Sequence, residues 1–138
     1  MSTLKANTIT GTSTAGSIAV TGEGNSTTTN LQQGLAKSWV DFITITSTSS
    51  RDSFNVSGLA DNGPGNTTIS FTSNMGSANF AAVMYTGGGD TSTNAAAFGN
   101  QYAGGLGSKT SSSVTHVSFD SNYADSYKND VVVQGDLA

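Results

Sequence analysis

Residues 36 to 71 contain three clearly patterned segments: AKSWVDF (36–42), RDSFNVS (51–57) and DNGPGNTTISF (61–71). In the first segment, Val40 and Phe42 fall on one face of an extended chain. The third segment opens with DNGPG, where glycine accepts positive φ and proline fixes its own φ, so the chain reverses before an alternating run. We therefore predict strand, strand, tight turn and strand along this part of the chain.

Apolar and polar residues keep alternating towards the C-terminus, and no stretch shows helical periodicity. In the second strand, Phe54 and Val56 share the inward face, which leaves Asn55 and Ser57 exposed. Short strands separated by turn signals are typical of a sandwich. The predicted fold is all-β, a small antiparallel β-sandwich of about six to eight strands over residues 35–138. Its strands are predicted near 36–45, 53–59, 67–72, 79–86, 112–119 and 130–134.

Alternation also assigns faces in two of the later strands. In the strand at 67–72, Ile69 and Phe71 point inward. In the strand at 79–86, one face carries Phe80, Ala82 and Met84 and the other carries Ala81, Val83 and Tyr85.

A long loop is predicted at residues 87–111, which are rich in Gly, Asn, Ala and Ser. Loops of this length are uncommon in compact domains and are usually functional or partly structured. Within it, residues 95–98 and 101–103 are the places where a further strand could form.

The first predicted strand is apolar on both faces, because Trp39, Ile43 and Ile45 lie opposite Val40 and Phe42. A core covers one face, so the second implies a neighbour such as another subunit. The composition agrees, since Ser and Thr are abundant and only 10% of residues are charged. Segments of this kind fold mainly when partner chains complete their core. We predict a homotrimer or another closed cyclic oligomer.

Residues 1–34 differ from the rest, because their few apolar side chains stand among Thr, Ser, Gly and Asn. Two short alternating runs, 6–10 and 17–21, are each bounded by Gly or Ser, as short strands commonly are. A flexible tail is one interpretation. The interpretation we favour is an extended N-terminal arm for attachment and oligomerisation, with residues 22–34 as a linker.

Composition also excludes several functions. The chain has no Cys, so disulfides and thiolate metal sites are absent. Five basic residues and a net charge of −4 argue against nucleic-acid binding. No segment approaches the about 20 apolar residues of a membrane helix, and the N-terminus lacks the apolar core of a secretory signal. We therefore expect a protein made in the cytoplasm.

The block at 36–71, followed by MGSANF at 75–80, resembles a small β-domain of bacteriophage virion proteins, especially fibre and tail proteins of marine phages. In that family the order is A-K-x-W-V-x-F, R-x-S-F-N-V-S, D-N-G-x-G, an alternating strand and a Met followed by A-N-Y/F. The resemblance covers roughly residues 35–86, and residues 2–9 also resemble the N-termini of those proteins. It implies a virion component attached through its N-terminal end.

Metal and catalytic chemistry find little support. His116 is the only histidine, and we expect it to be a half-buried or solvent-facing structural residue; the alternatives are a metal ligand on a trimer axis and a pH-sensitive contact. Residues 120–125 with Asp130 offer carboxylate and amide oxygens, which could bind calcium. They lack the central Gly and the terminal Glu of an EF-hand. Glu23 is the only Glu, so a pair of carboxylates for glycoside hydrolysis is not evident. We predict no enzyme activity, metal or cofactor.

Aromatic residues in predicted loops are the remaining recognition chemistry. Aromatic rings beside amide groups suit sugars, which offer apolar C–H faces and polar edges. The other interpretation is that these rings pack the loops or an intersubunit contact. The candidate contacts to a host-surface glycan are Asn100, Gln101, Tyr102, Tyr123 and Tyr127.

We therefore expect a non-enzymatic phage structural protein, a fibre that displays a small β-domain for host-surface attachment. A capsid decoration or head-fibre protein without receptor specificity is the alternative, and the short chain favours it somewhat. The sequence leaves open the choice between tail and capsid, and the receptor.

Overall fold

The computed structural model describes residues 3–11, 18–21, 28–87, 103–120 and 122–138. The chain divides into two compact units, Met1–Leu35 and Ala36–Ala138. In the first unit, β1 (Ala19–Thr21) pairs antiparallel with β2 (Thr28–Asn30), and the short helical turn α1 (Leu31–Gly34) follows. Residues 6–10 form no strand, so that expectation is wrong. The extended arm stays a prediction.

Within its described residues, the second unit is built of antiparallel strands, as the alternating sequence predicts. Two of them, β4 and β5, follow one another with only Asn55 between. The strands are β3 (Ala36–Ile43), β4 (Ser49–Phe54), β5 (Val56–Asp61), β6 (Asn66–Phe71), β7 (Ala81–Gly87), β8 (Ala103–Thr110), β9 (Ser113–Asp120), β10 (Asn122–Tyr123) and β11 (Lys128–Gln134).

These strands form two sheets. The four-stranded sheet has the order β4-β3-β11-β7, and the five-stranded sheet contains β5, β6, β8, β9 and β10. Phe119 of β9 is paired with both Ala103 of β8 and Tyr123 of β10, so β8 and β10 lie on opposite edges of β9. β6 occupies the same edge as β10, further along β9, and β5 pairs with β6.

The core lies between the two sheets and uses alternate residues of the central strands. Its buried members come from both sheets and from the segment between β6 and β7. They are Val40, Phe42, Ile69, Phe71, Met75, Phe80, Val114, Val131 and Val133. The predicted inward positions of β3 and β6 are therefore confirmed, and the fold is a small antiparallel β-sandwich.

The sandwich has two distinct ends. At the entry end, Ala36 continues from the first unit and pairs with Gln134, while the Met75 amide donates to the Ser111 carbonyl at 2.8 Å. At the opposite end, which we call the loop end, lie residues 44–48, the turn at 61–65 and residues 122–127. Gly87 and Ala103, which border residues 88–102, also lie at the loop end.

One predicted strand is wrong in its extent. The expected strand 53–59 is broken at Asn55, whose φ of 56° is left-handed. The break moves the chain from one sheet to the other, so Phe54 is exposed whereas Val56 packs against the core. The Asn55 side chain, expected to be exposed, is partly buried and donates to the Lys37 carbonyl at 2.9 Å.

The expected loop at 87–111 is also too long. Residues 103–110 form β8, which pairs along β9 from Phe119 to Ser113. The glycines of this segment carry weak strand propensity, and pairing with β9 overrides it. The proposed strand at 95–98 lies outside the described residues.

Candidate functional site

The predicted glycan-contact residues divide into two groups. Asn100, Gln101 and Tyr102 lie outside the described residues. Tyr123 belongs to β10, where the backbone alone is described, and Tyr127 lies between β10 and β11 with its side chain half-buried. The backbone positions of Tyr123 and Tyr127 are both at the loop end, as is Ala103, which follows Tyr102 directly.

The loop end is held together by contacts between segments far apart in sequence. Gly65 accepts positive φ of 63°, and its amide donates to the Asp125 carboxylate at 2.8 Å. Its carbonyl accepts from the Ser118 amide at 2.7 Å. A Cβ at Gly65 would lie 2.2 Å from the Ser118 carbonyl oxygen, so only glycine fits. The predicted turn at 61–65 is thus confirmed, and it supports the segment that contains Tyr123.

Tyr127 is held from the four-stranded sheet. Arg51 of β4 donates from Nη2 to the Tyr127 carbonyl and from Nη1 to the Asp41 carboxylate at 2.7 Å. Both charged side chains of this ion pair are about two-fifths exposed, so it contributes little stability alone, roughly 0–1 kcal/mol. Its effect is to fix the backbone of Tyr127 beside the edge of the sheet.

A buried polar cluster lies beneath this segment. The Ser126 hydroxyl donates to Asn129 Oδ1 at 2.6 Å, and the Ser126 amide donates to Thr44 Oγ1 at 2.8 Å. Asn129 Nδ2 donates to the Phe42 carbonyl at 3.4 Å. Since buried polar groups must be hydrogen-bonded, this network specifies one conformation for the chain that leads into Tyr127.

His116 is 1% exposed, so the expectation of a half-buried or solvent-facing residue is wrong. It occupies the inward face of β9 with Val114 and Ser118, which are also buried. Its Nε2 pairs with Thr86 Oγ1 at 2.8 Å, its Nδ1 has no partner, and its ring meets the Phe42 ring edge-on at 5.2 Å. Burial lowers the pKa of His116 from 6.5 to about 4.

Carboxylates of three neighbouring strands line up on the outer face of the four-stranded sheet, where Asp41 pairs with both Asp52 and Asp130. Partial burial and the Asp41 carboxylate raise the pKa of Asp130, while the Arg51 guanidinium opposes the rise. Like charges directly opposite one another are unfavourable, so this row costs stability in the isolated chain.

Other chemistry is limited in the part of the chain that the structure describes. No group of three or more His, Asp or Glu side chains is arranged there to hold a metal ion. Nor does that part contain a helix long and apolar enough to cross a membrane.

Comparison with protein-family models, curated proteins and solved structures gives no match to this chain.

The sequence prediction missed one feature with functional potential. Phe54, Val83 and Val132 are large, exposed and apolar, and they occupy three strands of the four-stranded sheet. Their register places them in one row with Trp39. Val83 alternates with Ala82 and Met84 in β7, but three consecutive valines occupy 131–133 in β11, so the local pattern does not show which of these faces outward. Only the strand order shows that the exposed residues are neighbours.

Proposed function

We propose that the chain is a non-enzymatic structural protein of a phage virion, a fibre whose β-sandwich is displayed for attachment to the host surface. The observation that carries the proposal is the position of the two ends. The chain enters the sandwich at Ala36, whereas Tyr123, Tyr127 and the residues bordering 88–102 lie at the loop end. A sandwich attached through its N-terminal side presents these loops away from the attachment point.

The construction of the loop end supports this proposal. Recognition loops need a rigid scaffold beneath them, because ordering a mobile loop on binding costs affinity. The Gly65–Asp125 contact and the Ser126–Asn129 network supply such a scaffold. The resemblance of residues 36–80 to phage β-domains points to the same class of protein.

The ligand we propose is a host-surface glycan, and the partners are virion proteins reached through residues 1–34. Tyrosine rings stack on the C–H faces of sugars, and amide groups such as those of Asn100 and Gln101 bond their hydroxyls. A capsid decoration role without receptor binding is the second candidate, because it would use the same β-sandwich.

Adsorption measurements test the receptor role. We expect virions that carry Tyr102→Ala, Tyr123→Ala or Tyr127→Ala to assemble normally but to adsorb to host cells at least about tenfold more slowly. A stacked ring contributes on the order of 1 kcal/mol or more in each copy, and several copies bind together. Leu106→Ala is the matched control, because Leu106 is a large exposed side chain within β8 of the five-stranded sheet and not in the loops. Normal adsorption by all the loop variants would overturn the receptor role and leave the decoration role.

A further inference from the structure

The outer face of the four-stranded sheet carries a continuous apolar row. Cross-strand partners share a face, and Phe54, Trp39, Val132 and Val83 are successive partners across β4, β3, β11 and β7. Phe54 is 53% exposed, Val132 39% and Val83 72%. We call these four residues the apolar row.

The outer face of the other sheet has a different character. Two of its rows are Ala60, Thr68 and Thr115, and Gly58, Ser70 and Ser113, and the next row pairs Asn66 with the half-buried Val117. These side chains are small, and the Thr68 and Thr115 hydroxyls lie 3.5 Å apart. The outer face of the five-stranded sheet therefore carries mainly small and polar side chains. The outer face of the four-stranded sheet exposes large apolar side chains, which gain free energy by being covered.

The apolar row is complementary in size to a copy of itself. It runs from two large rings, Phe54 and Trp39, to two small side chains, Val132 and Val83. A two-fold axis parallel to the strands, between β3 and β11, reverses the strand order of the second copy. Phe54 then lies over Val83 of the second copy, and Trp39 over its Val132. Large side chains meet small ones along the whole row, as in packed sheets.

We propose that this face binds a second copy of the same chain, forming a parallel dimer with the two apolar rows packed against each other. Valines offer no flat surface for sugars, so half of the row suits a protein partner better than a glycan. The axis also leaves both entry ends on the same side, so that the chain enters both sandwiches at one end of the dimer. The proposal names a two-fold axis where the sequence had favoured a trimer, and it does not depend on receptor binding.

The carboxylates of Asp41, Asp52 and Asp130, which we call the acidic row, limit the strength of this dimer. Beside the apolar row, Asp41 would face Asp130 of the second copy, and Asp52 would face its Tyr85, whose hydroxyl can donate to the carboxylate. Arg51 forms an ion pair with Asp41 and partly offsets Asp130, so in each copy one guanidinium stands against the three carboxylates of this row. We therefore expect added salt to strengthen association by screening the repulsion.

The area of the face also indicates a weak dimer. Four strands about 4.8 Å apart and roughly seven residues long make a face on the order of 20 Å by 23 Å. The area of this face is therefore smaller than the about 800 Å² that each partner buries in a standard interface. A dissociation constant in the micromolar range is expected, so the test requires a concentration series.

Sedimentation equilibrium of the full chain from about 1 to 200 μM tests the proposal. The expected mass rises from 13.9 kDa towards twice that value. Val83→Glu places a charge in the row and should weaken dimerisation at least tenfold, while Asp130→Asn removes a facing charge and should strengthen it severalfold. Ala60→Glu is the matched control, since it adds the same charge to an exposed edge strand of the other sheet.

A wild-type chain that stays monomeric at 200 μM would overturn the proposal, and so would a trimer. Equal association by Val83→Glu and wild type would also overturn it, because another surface would then hold the copies together. Circular dichroism of each variant verifies that the sandwich is folded. Virion adsorption is a separate measurement, so the receptor role can fail while the dimer stands, and the reverse.

Discussion

At the scale of single residues, His116 is the most informative side chain. It is a titratable group enclosed by the sandwich, with one hydrogen bond to Thr86 and an unpartnered Nδ1. Its burial could not be predicted, because Val114 and Val117 frame it with apolar residues on both faces of β9. The inward face is chosen by packing against Phe42 of the other sheet, which a local pattern does not contain.

The burial of His116 predicts a pH dependence of stability. Its pKa of about 4 in the folded chain is below the ordinary 6.5, so the unfolded chain takes up the proton first as pH falls. This contribution is complete above pH 6.5 and is lost towards pH 4. We expect the free energy of unfolding to fall by about 2 kcal/mol between pH 7.5 and pH 5.

Urea unfolding at both pH values measures this loss, and His116→Gln should remove it from the difference between them. The only histidine also gives a direct NMR signal. Its ring protons should keep the shifts of the neutral form down to pH 5 in the folded chain. A midpoint near 6.5 would contradict the buried, neutral state.

At the scale of elements, Asn55 explains how one continuous segment serves two sheets. Its Nδ2 donates to the carbonyls of Lys37 at 2.9 Å and Ser73 at 3.1 Å, and its Oδ1 accepts from the Ser73 amide at 2.7 Å. Asparagine tolerates left-handed φ better than most residues. The sequence pattern shows strand character on both sides of this position but not the sheet change, which depends on contacts distant in the chain.

Replacing Asn55 should therefore weaken the whole sandwich. We expect Asn55→Ala to lower the free energy of unfolding by about 3 kcal/mol, from lost hydrogen bonds and a strained φ. Asn55→Gly keeps the left-handed φ and should lose about 2 kcal/mol. Asn79→Ala, at an exposed position, should change it by less than about 0.5 kcal/mol. Urea denaturation gives all three values, and an effect of Asn55→Ala no larger than the control would refute the role of this corner.

Other elements could be predicted to differing degrees. The turn at 61–65 and the alternation in β3, β6 and β7 follow from local chemistry, and the structure confirms them. β8 could not be identified firmly, because a glycine-rich strand owes its existence to the hydrogen-bonding edge of β9. Extended backbone there comes from tertiary pairing, which outweighs propensity.

At the scale of the whole molecule, the antiparallel sandwich was predictable from periodicity, but the arrangement of its surfaces was not. Register alone brings Phe54, Val83 and Val132 into one row, and topology alone separates Ala36 from the loop end. The proposed glycan contacts are spread over residues 100–127, and Tyr123 and Tyr127 are the two whose backbone the structure places at the loop end. The proposed function depends on that polarity, because it assigns attachment to one end and recognition to the other.

The most direct test of this polarity is gold labelling of the purified virion. The chain has no Cys, so Ser47→Cys at the loop end and Ala78→Cys at the entry end each introduce one reactive thiol at an exposed position. Strands of about seven residues separate the two sites by roughly 2 nm. After maleimide–gold labelling, averaged cryo-electron micrographs should show Ser47 gold about 2 nm farther from the particle than Ala78 gold. Ala78 gold lying farther out, or no label on the particle, would contradict the proposed function.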